Sequence, residues 1–574
     1  MKNARIISMV VPILLYLNSC SLSYGLEQGT PRLTIIIEVD QFAHHYIPRI
    51  EKHLTGGIKF LLEHGVRYTN AYWPHAMPST AIGHTAINTG TFANYHGVLN
   101  NSWYDQSLEK IEFEDDSEKD AAVFSPDGLY SYGKSAHNII VDGISDQLKL
   151  ASTKNEPITV YALSYKSRAA IGNAGKLGKA IWFDTDAGIF TSSKAYFKQL
   201  PSWLKTFNKK ISKDKLLQQK WKPYADPCGD AYNSSDYKKT APLQRALSVL
   251  GDKADKILLK HDEPYEPFIR TPAANTLLLN LAQTFIKNHP YKNEDHRIVL
   301  WISLSPLDKL GHFYGPHSKE VLDMIYHLDY QLKQFFDFVH KHHKPSEVLY
   351  LLTADHGVEP LPEYMRKKGI KNARRIIIPE LCALIEEQIQ KKHGVSIKCA
   401  VKTPQIYLDK NFDELDANQQ DAVLSTVKKL MENHEGIRKA WTYKELNAEC
   451  IGKDTIEYYY KNQQYPGRSG HIIFQVLPYT QITKHPAGTA HRTPYEWNTH
   501  VPLILYQKGM FEYKKINDRV WLIQVPNTLA QIHHVPKPSA STCKLLPGFL
   551  TDNDNSFYNN NNVIEHLNNE PCRG

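Results

Sequence analysis

The stretch Leu33–Val39, LTIIIEV, is a short run of apolar and β-branched residues, typical of a strand that is buried on both faces. Amphipathic segments with helical spacing separate it from later runs of the same kind, for example over Thr276–Asn288. Buried strands that alternate with helices predict an α/β fold, a mostly parallel sheet with helices on both faces. The other predicted strands are Ile298–Leu304 (IVLWISL), Val348–Leu352 (VLYLL) and Val501–Tyr506 (VPLILY).

Two long intervals interrupt this alternation. Residues 105–271 are rich in Lys, Ser, Tyr and Asp, and residues 391–483 mix short strands with a helix. We interpret both intervals as insertions into a single domain that spans residues 32–550. Residues 551–574 are rich in Asn and are predicted to form a polar tail.

The first 25 residues have the pattern of a secretory signal, with basic residues, an apolar run over 6–17 and then small residues. The run is too short to span a membrane. Leu17–Cys20 (LNSC) resembles a bacterial lipobox, in which Cys20 would carry a lipid, and cleavage near Gly25 is the alternative. We therefore expect an exported protein, periplasmic or extracellular, that would contact a membrane only through a lipid at Cys20.

The composition is that of an ordinary globular protein, with 42% hydrophobic and 22% charged residues and a formal net charge of +8. No basic stripe with interleaved aromatic residues is present, which argues against a nucleic-acid duplex as partner. The cysteines are sparse and lack the CxxC spacing of a zinc ribbon. Their pairing stays open.

Carboxylates and imidazoles lie next to all four predicted strands. Ligands of such sheets bind beyond the carboxyl ends of the strands, and carboxylate and imidazole groups are suitable ligands for zinc. Six such ligands are too many for one catalytic zinc and suit a two-metal site. Each residue alone is better explained by a cap or a tight turn, but four such strand ends together favour a metal site. The residues are Asp40 after the first strand, Asp308 and His312 after the second, Asp355 and His356 after the third, and His491 before the last.

The segment Pro78–Gly90, PSTAIGHTAINTG, places Ser79 and Thr80 side by side at the start of a short predicted helix. One of the hydroxyl groups would cap the helix, or one would be a nucleophile held where helix N–H groups face an anion. On this segment alone the cap is the better interpretation.

Together these motifs resemble the alkaline phosphatase superfamily, and most closely its phosphate-irrepressible (PafA-type) phosphomonoesterases. The matching stretches extend over residues 39–505 in the expected order and cover most of the chain. They are Val39–Gln41, Thr80–Thr85, His96–Asp105, Ser164–Ala169, Asp308–His312, Ala354–Gly357 and Gly488–His491.

The resemblance implies a phosphate monoester hydrolase with two Zn²⁺ ions. Thr80 would be the nucleophile and would form a phosphothreonine, since a metal can stabilise its alkoxide where no His–Asp relay is apparent. Ser79 would then have a structural role. The implied ligands are Asp308, His312 and His491 for one ion, and Asp40, Asp355, His356 and the Thr80 oxygen for the other.

The resemblance also assigns Asn101, Lys166 and Arg168 to a grip on the phosphate dianion. Lys166 and Arg168 are two residues apart, so their side chains share a face if the backbone there is extended. An Arg fork and a Lys point charge together suit a tetrahedral dianion. Without the resemblance, plain surface charge would be the better interpretation of this pair.

The alternative function is that of a phosphodiesterase of the same superfamily, similar to the nucleotide pyrophosphatase/phosphodiesterases. A sulfatase is disfavoured, because no C/S-x-P-x-R context surrounds Thr80. A non-catalytic relative would have lost Thr80 or a ligand, and none is lost.

Two positions depart from the family pattern: Arg492 stands where Gly or Ser is common, and Asn498 stands where Asp is usual.

We expect the substrates to be a broad range of small-molecule phosphate monoesters and the protein to be a monomer. The natural substrate, inhibition by phosphate and the effects of Arg492 and Asn498 stay open.

Overall fold

The computed structural model describes residues 29–549, except residues 219–220, 225–262, 449, 454, 485 and 512. The predicted signal with Cys20 and the predicted tail over 551–574 lie outside the described residues.

The strands, numbered in chain order, are β1 (Leu33–Val39), β2 (Val66–Tyr72), β3 (Ser102–Tyr104), β4 (Lys110–Glu112), β5 (Asp115–Asp116), β6 (Ala122–Ser125), β7 (Gly128–Lys134), β8 (Ile158–Ser164), β9 (Lys179–Asp184), β10 (Ile189–Thr191), β11 (Arg297–Leu304), β12 (Val348–Thr353), β13 (Arg374–Ile377), β14 (Cys399–Lys402), β15 (Gln405–Leu408), β16 (Ile437–Thr442), β17 (Ile472–Val476), β18 (Thr480–Thr483), β19 (Leu503–Tyr506) and β20 (Lys514–Trp521).

The α-helices of the described residues are α1 (Ile47–Ile50), α2 (Gly57–His64), α3 (Thr80–Thr89), α4 (Ala93–His96), α5 (Ile144–Leu150), α6 (Ser167–Ala174), α7 (Ser202–Lys209), α8 (Lys213–Leu217), α9 (Glu266–Ile269), α10 (Pro272–Asn288), α11 (Pro306–Tyr314), α12 (Lys319–His342), α13 (Pro362–Lys367), α14 (Ile378–His393), α15 (Lys410–Asp413), α16 (Ala417–Asn433), α17 (Tyr443–Ala448), α18 (Ile456–Asn462), α19 (Glu496–Thr499) and α20 (Val525–Ile532).

A nine-stranded sheet forms the centre of the fold, in the order β10-β9-β8-β11-β1-β12-β19-β2-β20. β1 lies between β11 and β12 and runs parallel to both. All residues of β1 and β11 are buried, as expected for strands covered by helices on both faces. The predicted α/β fold with a mostly parallel sheet is confirmed.

The antiparallel strand β19 decides where the last motif, Gly488–His491, lies. It runs antiparallel to β12 and to β2, whereas β1, β11 and β12 are parallel. Its N-terminal end therefore lies beside the carboxyl end of β12. The segment that precedes β19, which carries His491, thus reaches the same sheet edge as the residues that follow β1, β11 and β12.

The two intervals interpreted as insertions differ in structure. The first interval, 105–271, contributes β8, β9 and β10 to the central sheet, so it is an insertion only in part. The runs ITVYALS and KAIWFD in it are mostly buried, although polar residues surround them in sequence. The second interval forms a separate four-stranded sheet, β14-β15-β17-β16, with its own hydrophobic cluster and packing from α14 and α16.

The described cysteines include one close pair. The Sγ atoms of Cys382 and Cys399 lie 3.0 Å apart, and Cys450 is disulfide-bonded. Among the described residues no helix combines the length and the apolar character that crossing a bilayer requires.

Asp329 ties α12 to the start of α2. Its buried carboxylate accepts hydrogen bonds from the backbone N–H groups of Thr55 (2.9 Å), Gly56 (2.6 Å), Ile58 (2.8 Å) and Lys59 (3.1 Å). The first N–H groups of a helix have no partner within the helix, so a carboxylate there satisfies donors that burial would leave unpaired.

We expect Asp329→Ala to lower the free energy of unfolding by about 2 kcal/mol, because it leaves these N–H groups buried without an acceptor. Urea denaturation measures the change. Asp337→Ala is the matched control on the same helix, since Asp337 is exposed and pairs only with Lys333, and we expect a loss of less than about 0.5 kcal/mol. Equal losses in the two variants would contradict this account of α2.

Candidate active site

Three carboxylates meet at the carboxyl edge of the central sheet. Asp40 directly follows β1, Asp308 lies in the first turn of α11 after β11, and Asp355 follows β12. Their exposed fractions are 0%, 2% and 0%. The parallel strands thus bring together acidic residues that are far apart in sequence, as the strand-end pattern predicts.

Three imidazoles face these carboxylates in the same tautomer. In each ring Nδ1 lies within hydrogen-bond distance of a backbone carbonyl, which can only accept, so Nδ1 carries the hydrogen. Each Nε2 is then left with the lone pair that a metal ligand needs. The bonds run from His312 to Thr489 (2.7 Å), from His356 to Gly357 (2.9 Å) and from His491 to Pro78 (2.9 Å).

The ligand-type atoms form two compact groups that share His356. One group contains Asp40, Asp355 and His356, and the other contains Asp308, His356 and His491. In each group the candidate ligand atoms lie within 4.8 Å of one another. The first group has the three protein side chains expected beside Thr80. In the second group His356 takes the place expected for His312.

His312 lies at the outer side of the second group. Its Nε2 is 3.1 Å from Asp308 Oδ1, and its side chain is 35% exposed, whereas the side chain of His491 is 7% exposed. The rings of His356 and His491 are stacked with their centroids 3.5 Å apart. His312 is therefore adjacent to Asp308 and open to solvent.

Buried atoms without hydrogen-bond partners converge in the first group. They are Asp40 Oδ1, Asp355 Oδ2 and His356 Nε2. Buried polar atoms in proteins almost always have a partner, and these three all offer lone pairs. A divalent cation would satisfy them at once, so the residues present fit a metal site.

Thr80 is the first residue of α3 and is 1% exposed. Ser79 occupies the N-cap position, but its hydroxyl makes no capping hydrogen bond and has no other hydrogen-bond partner among the described residues. The capping interpretation is therefore not what the structure shows. Thr80 Oγ1 lies 3.3 Å from the Lys166 ammonium, beside the carboxylates.

The glycine three residues after Thr80, Gly83, is explained by close packing against Asp355. A Cβ atom on Gly83 would lie 2.5 Å from the Asp355 carbonyl oxygen and 2.7 Å from Asp355 Cβ. Only glycine lets α3 approach the end of β12 this closely. Below it, buried His84 bonds the Thr80 carbonyl through Nδ1 and the Ser303 hydroxyl through Nε2, both at 2.8 Å.

Lys166 and Arg168 meet the site from the start of α6. Lys166 is extended, but Arg168 lies in the first turn of the helix, so the expectation of a common face on an extended backbone is wrong. Lys166 Nζ lies 2.5 Å from both Asp40 Oδ2 and Asp308 Oδ2. Arg168 Nε is buried without a hydrogen-bond partner.

The positive charges of the site stabilise some of its carboxylates more than others. Burial disfavours the charged form of Asp308, but His312 and Lys166 hold its pKa well below the usual range. Burial, followed by repulsion from Asp40, raises the pKa of Asp355 well above the usual range. Burial would lower the pKa of Lys166, yet Asp308 and Asp40 raise it. The edge thus holds more negative charge than Lys166 alone neutralises.

Asn101 is fixed against the start of α3. Its Oδ1 accepts the backbone N–H of Ala81 at 2.8 Å, and its own N–H donates to Asn100 Oδ1 at 2.7 Å. Its side-chain oxygen is thus used by the protein, which leaves the amide NH₂ group as the donor available to an anion.

Gln41 is a site residue whose role sequence reasoning missed. Its Nε2 donates to Asp308 Oδ1 at 2.7 Å and its backbone N–H donates to Asp355 Oδ1 at 3.2 Å, so it joins the two groups. It adopts a positive φ of 71°, rare for a residue with a side chain. A Cβ on Gly311 would lie 1.9 Å from Gln41 Oε1, so a side chain there would displace the Gln41 amide that bonds Asp308. In the sequence, only its place directly after Asp40 signals this role.

Glu359 is a second residue of the site that the sequence does not predict, and it gives Asn498 a hydrogen-bond partner. Glu359 is buried, and its Oε1 accepts the backbone N–H of Arg492 at 2.9 Å and the side-chain amide of Asn498 at 3.1 Å. A carboxylate is therefore present beside Asn498, on a different element from the one in the family pattern.

Comparisons with known proteins agree with this geometry. The family model of the type I phosphodiesterase / nucleotide pyrophosphatase family matches residues 34–501. Alkaline phosphatase PhoV of Synechococcus elongatus is 27% identical over 529 residues, which cover 91% of this chain and 93% of that protein. Alkaline phosphatase PafA of Elizabethkingia meningoseptica is 28% identical over 530 residues, which cover 90% and 93%. A protein of Myroides odoratus named calcium-transporting ATPase is 26% identical over 524 residues, which cover 89% and 93%.

The fold is also that of a solved structure. The crystal structure of wild-type alkaline phosphatase PafA matches with a TM-score of 0.78 and 24% identity, covering 90% of this chain and 98% of that one. The resemblance inferred from the motifs is thereby confirmed.

We expect Gln41→Ala to weaken zinc binding about 10- to 100-fold, since groups that orient metal ligands have effects of this size. Isothermal titration of the metal-stripped protein measures the affinity. Gln147→Ala is the matched control, because Gln147 donates to Asp142 at 2.6 Å outside either group, and its zinc affinity should equal that of the wild type. Unchanged affinity in Gln41→Ala would show that the residue does not support the metal groups.

Proposed function

The chain belongs to the type I phosphodiesterase / nucleotide pyrophosphatase family, and we propose that it is a metal-dependent phosphate monoester hydrolase, an alkaline phosphatase. Several relatives that align over about nine tenths of the chain are named alkaline phosphatases. The single observation that carries the proposal is the arrangement around Thr80. A buried hydroxyl at the start of α3 lies 3.3 Å from the Lys166 ammonium, which contacts Asp40 and Asp308 of the two metal-type groups.

The residues of the chain can act on a phosphate monoester in named ways. The oxygen of Thr80 attacks phosphorus, the bond to the leaving oxygen breaks, and the phosphoryl group is carried on Thr80 until water removes it. Lys166, at 3.3 Å from Thr80 Oγ1, favours the deprotonated hydroxyl by its charge. Arg168 and the Asn101 amide would hold the unesterified oxygens. Bound divalent ions would stabilise charge on the attacking and leaving oxygens.

Several finer points belong to the same proposal. We assign two Zn²⁺ ions, because the donors are nitrogen and oxygen only and form two groups. The substrates would be small-molecule phosphate monoesters of broad range, and the protein would be an exported monomer. The sequence pattern of residues 1–25 supports export, with lipidation of Cys20 or cleavage near Gly25 as alternatives.

We expect Thr80→Ala to lower kcat/KM for an aryl phosphate at least about 10³-fold with an unchanged zinc content. The variant lacks the attacking oxygen but keeps the carboxylates and imidazoles of both groups. Mass spectrometry of acid-quenched wild type should detect a phosphate on Thr80. Ser79→Ala is the neighbouring control and should keep most of the activity, because the Ser79 hydroxyl forms no hydrogen bond with a described group. Full activity in Thr80→Ala would rule out Thr80 as the nucleophile.

We expect Arg168→Ala to reduce kcat/KM for an aryl phosphate monoester about 10- to 100-fold more than for the matching diester. A monoester dianion has an unesterified oxygen that a diester lacks, and a charge-assisted hydrogen bond to it is worth roughly 1.5–3 kcal/mol. The two substrates are compared on the same zinc-loaded preparation. Equal losses would remove Arg168 from the phosphate grip, and a wild-type preference for the diester would favour a phosphodiesterase.

A further inference from the structure

Two cations lie beside the proposed phosphate grip and are not needed for it. Arg492 directly follows His491, and Lys402 ends β14 in the second sheet. Within the described part of the chain, neither has a carboxylate within 4.0 Å of its charged group. Lys166, by comparison, forms ion pairs with two carboxylates.

The second sheet brings Lys402 to the site. β14 packs against β3, the strand that follows Asn101. Asn100 Nδ2 donates to the carbonyl of Thr403, the residue after Lys402, at 3.2 Å. On the other side, the backbone N–H of Arg492 is held by Glu359 at 2.9 Å. Hydrogen bonds to the backbone of Thr403 and of Arg492 therefore hold the two segments in place, whereas the charged groups of Lys402 and Arg492 form no described ion pair.

The chain places Lys402 next to the segment of Asn101 and Arg492 next to His491, and the charges of Arg492 and Arg168 both act on Lys402. Lys402 and Arg492 are half-buried. Burial, and then the charge of Arg492, lowers the pKa of Lys402 to about 7, with further repulsion from Lys110 and Arg168. Glu112 opposes this effect, but it forms its own ion pair with Lys110. Glu359 offsets part of the charge of Arg492, but Lys402 and Arg492 repel each other, and an anion bound by both would remove that repulsion.

The reacting phosphoryl group is not that anion. It would sit at Thr80 among the metal groups, Lys166, Arg168 and Asn101, and no described hydrogen bond or ion pair links Lys402 or Arg492 to Thr80 or to the metal-type carboxylates. We propose that Lys402 and Arg492 form a subsite for a second phosphate group on the leaving-group side, so that the enzyme prefers small-molecule bisphosphates. This inference rests on the proposed function.

The test compares propane-1,3-diol bisphosphate with propane-1,3-diol monophosphate as substrates of the zinc-loaded full chain. For the wild type we expect kcat/KM to be at least about 10-fold higher for the bisphosphate. Lys402→Gln and Arg492→Ser should each lower this ratio about three- to tenfold, and Arg492→Lys should retain most of it. Lys398→Gln is the control, because Lys398 directly precedes β14, is 64% exposed and pairs with Glu386. Its ratio of kcat/KM for the two substrates should equal that of the wild type.

The outcomes separate this inference from the proposed function. A wild-type ratio near one, or equal ratios in the wild type and both neutral variants, would overturn the subsite and leave the monoesterase intact. Hydrolysis of neither compound, with zinc bound, would overturn the proposed function and the subsite together. Zinc content and melting temperature equal to the wild type establish that a lowered ratio does not reflect misfolding.

Discussion

Three buried carboxylates at one edge of the central sheet set the main physical constraint on this protein. A buried carboxylate is costly unless cations and hydrogen-bond donors face it, and here three lie within one site. Lys166 contacts Asp40 and Asp308, but no ammonium reaches the unpartnered oxygen of Asp355 among the described residues. The excess of carboxylates over cations makes this edge a candidate cation site. Two glycines, Gly83 and Gly311, allow the neighbouring segments to pack closely around the carboxylates.

The hydrogen bonds of the three imidazoles act toward the same end. Each ring donates Nδ1–H to a carbonyl and turns Nε2 toward the carboxylates, so backbone hydrogen bonds fix the orientation of all three rings. Such preorganisation matters for catalysis, because groups already in place need no rearrangement as charge develops. Thr80 benefits in the same way, since α3 is held against the end of β12 by close packing at Gly83 and by the bonds of His84.

The sequence predicts much of this arrangement and misses specific parts of it. β1, β11 and β12 are evident as apolar runs, and their carboxyl ends identify the site because parallel strands end at one edge. The direction of β19 is not encoded in its own composition, yet it decides where His491 lies. β8 and β9 were missed inside a polar interval, since burial there depends on neighbours that are distant in sequence. The bridging role of Gln41 and the position of Lys402 likewise depend on long-range packing.

The most direct test of the account is the anomalous diffraction of zinc-loaded crystals grown with inorganic phosphate, recorded at the zinc absorption edge. The account predicts two zinc peaks, one contacted by Asp40, Asp355 and His356 and one contacted by Asp308, His312 and His491, with the phosphate beside Thr80. A single peak, or zinc bound away from this edge, would contradict the two-metal phosphatase.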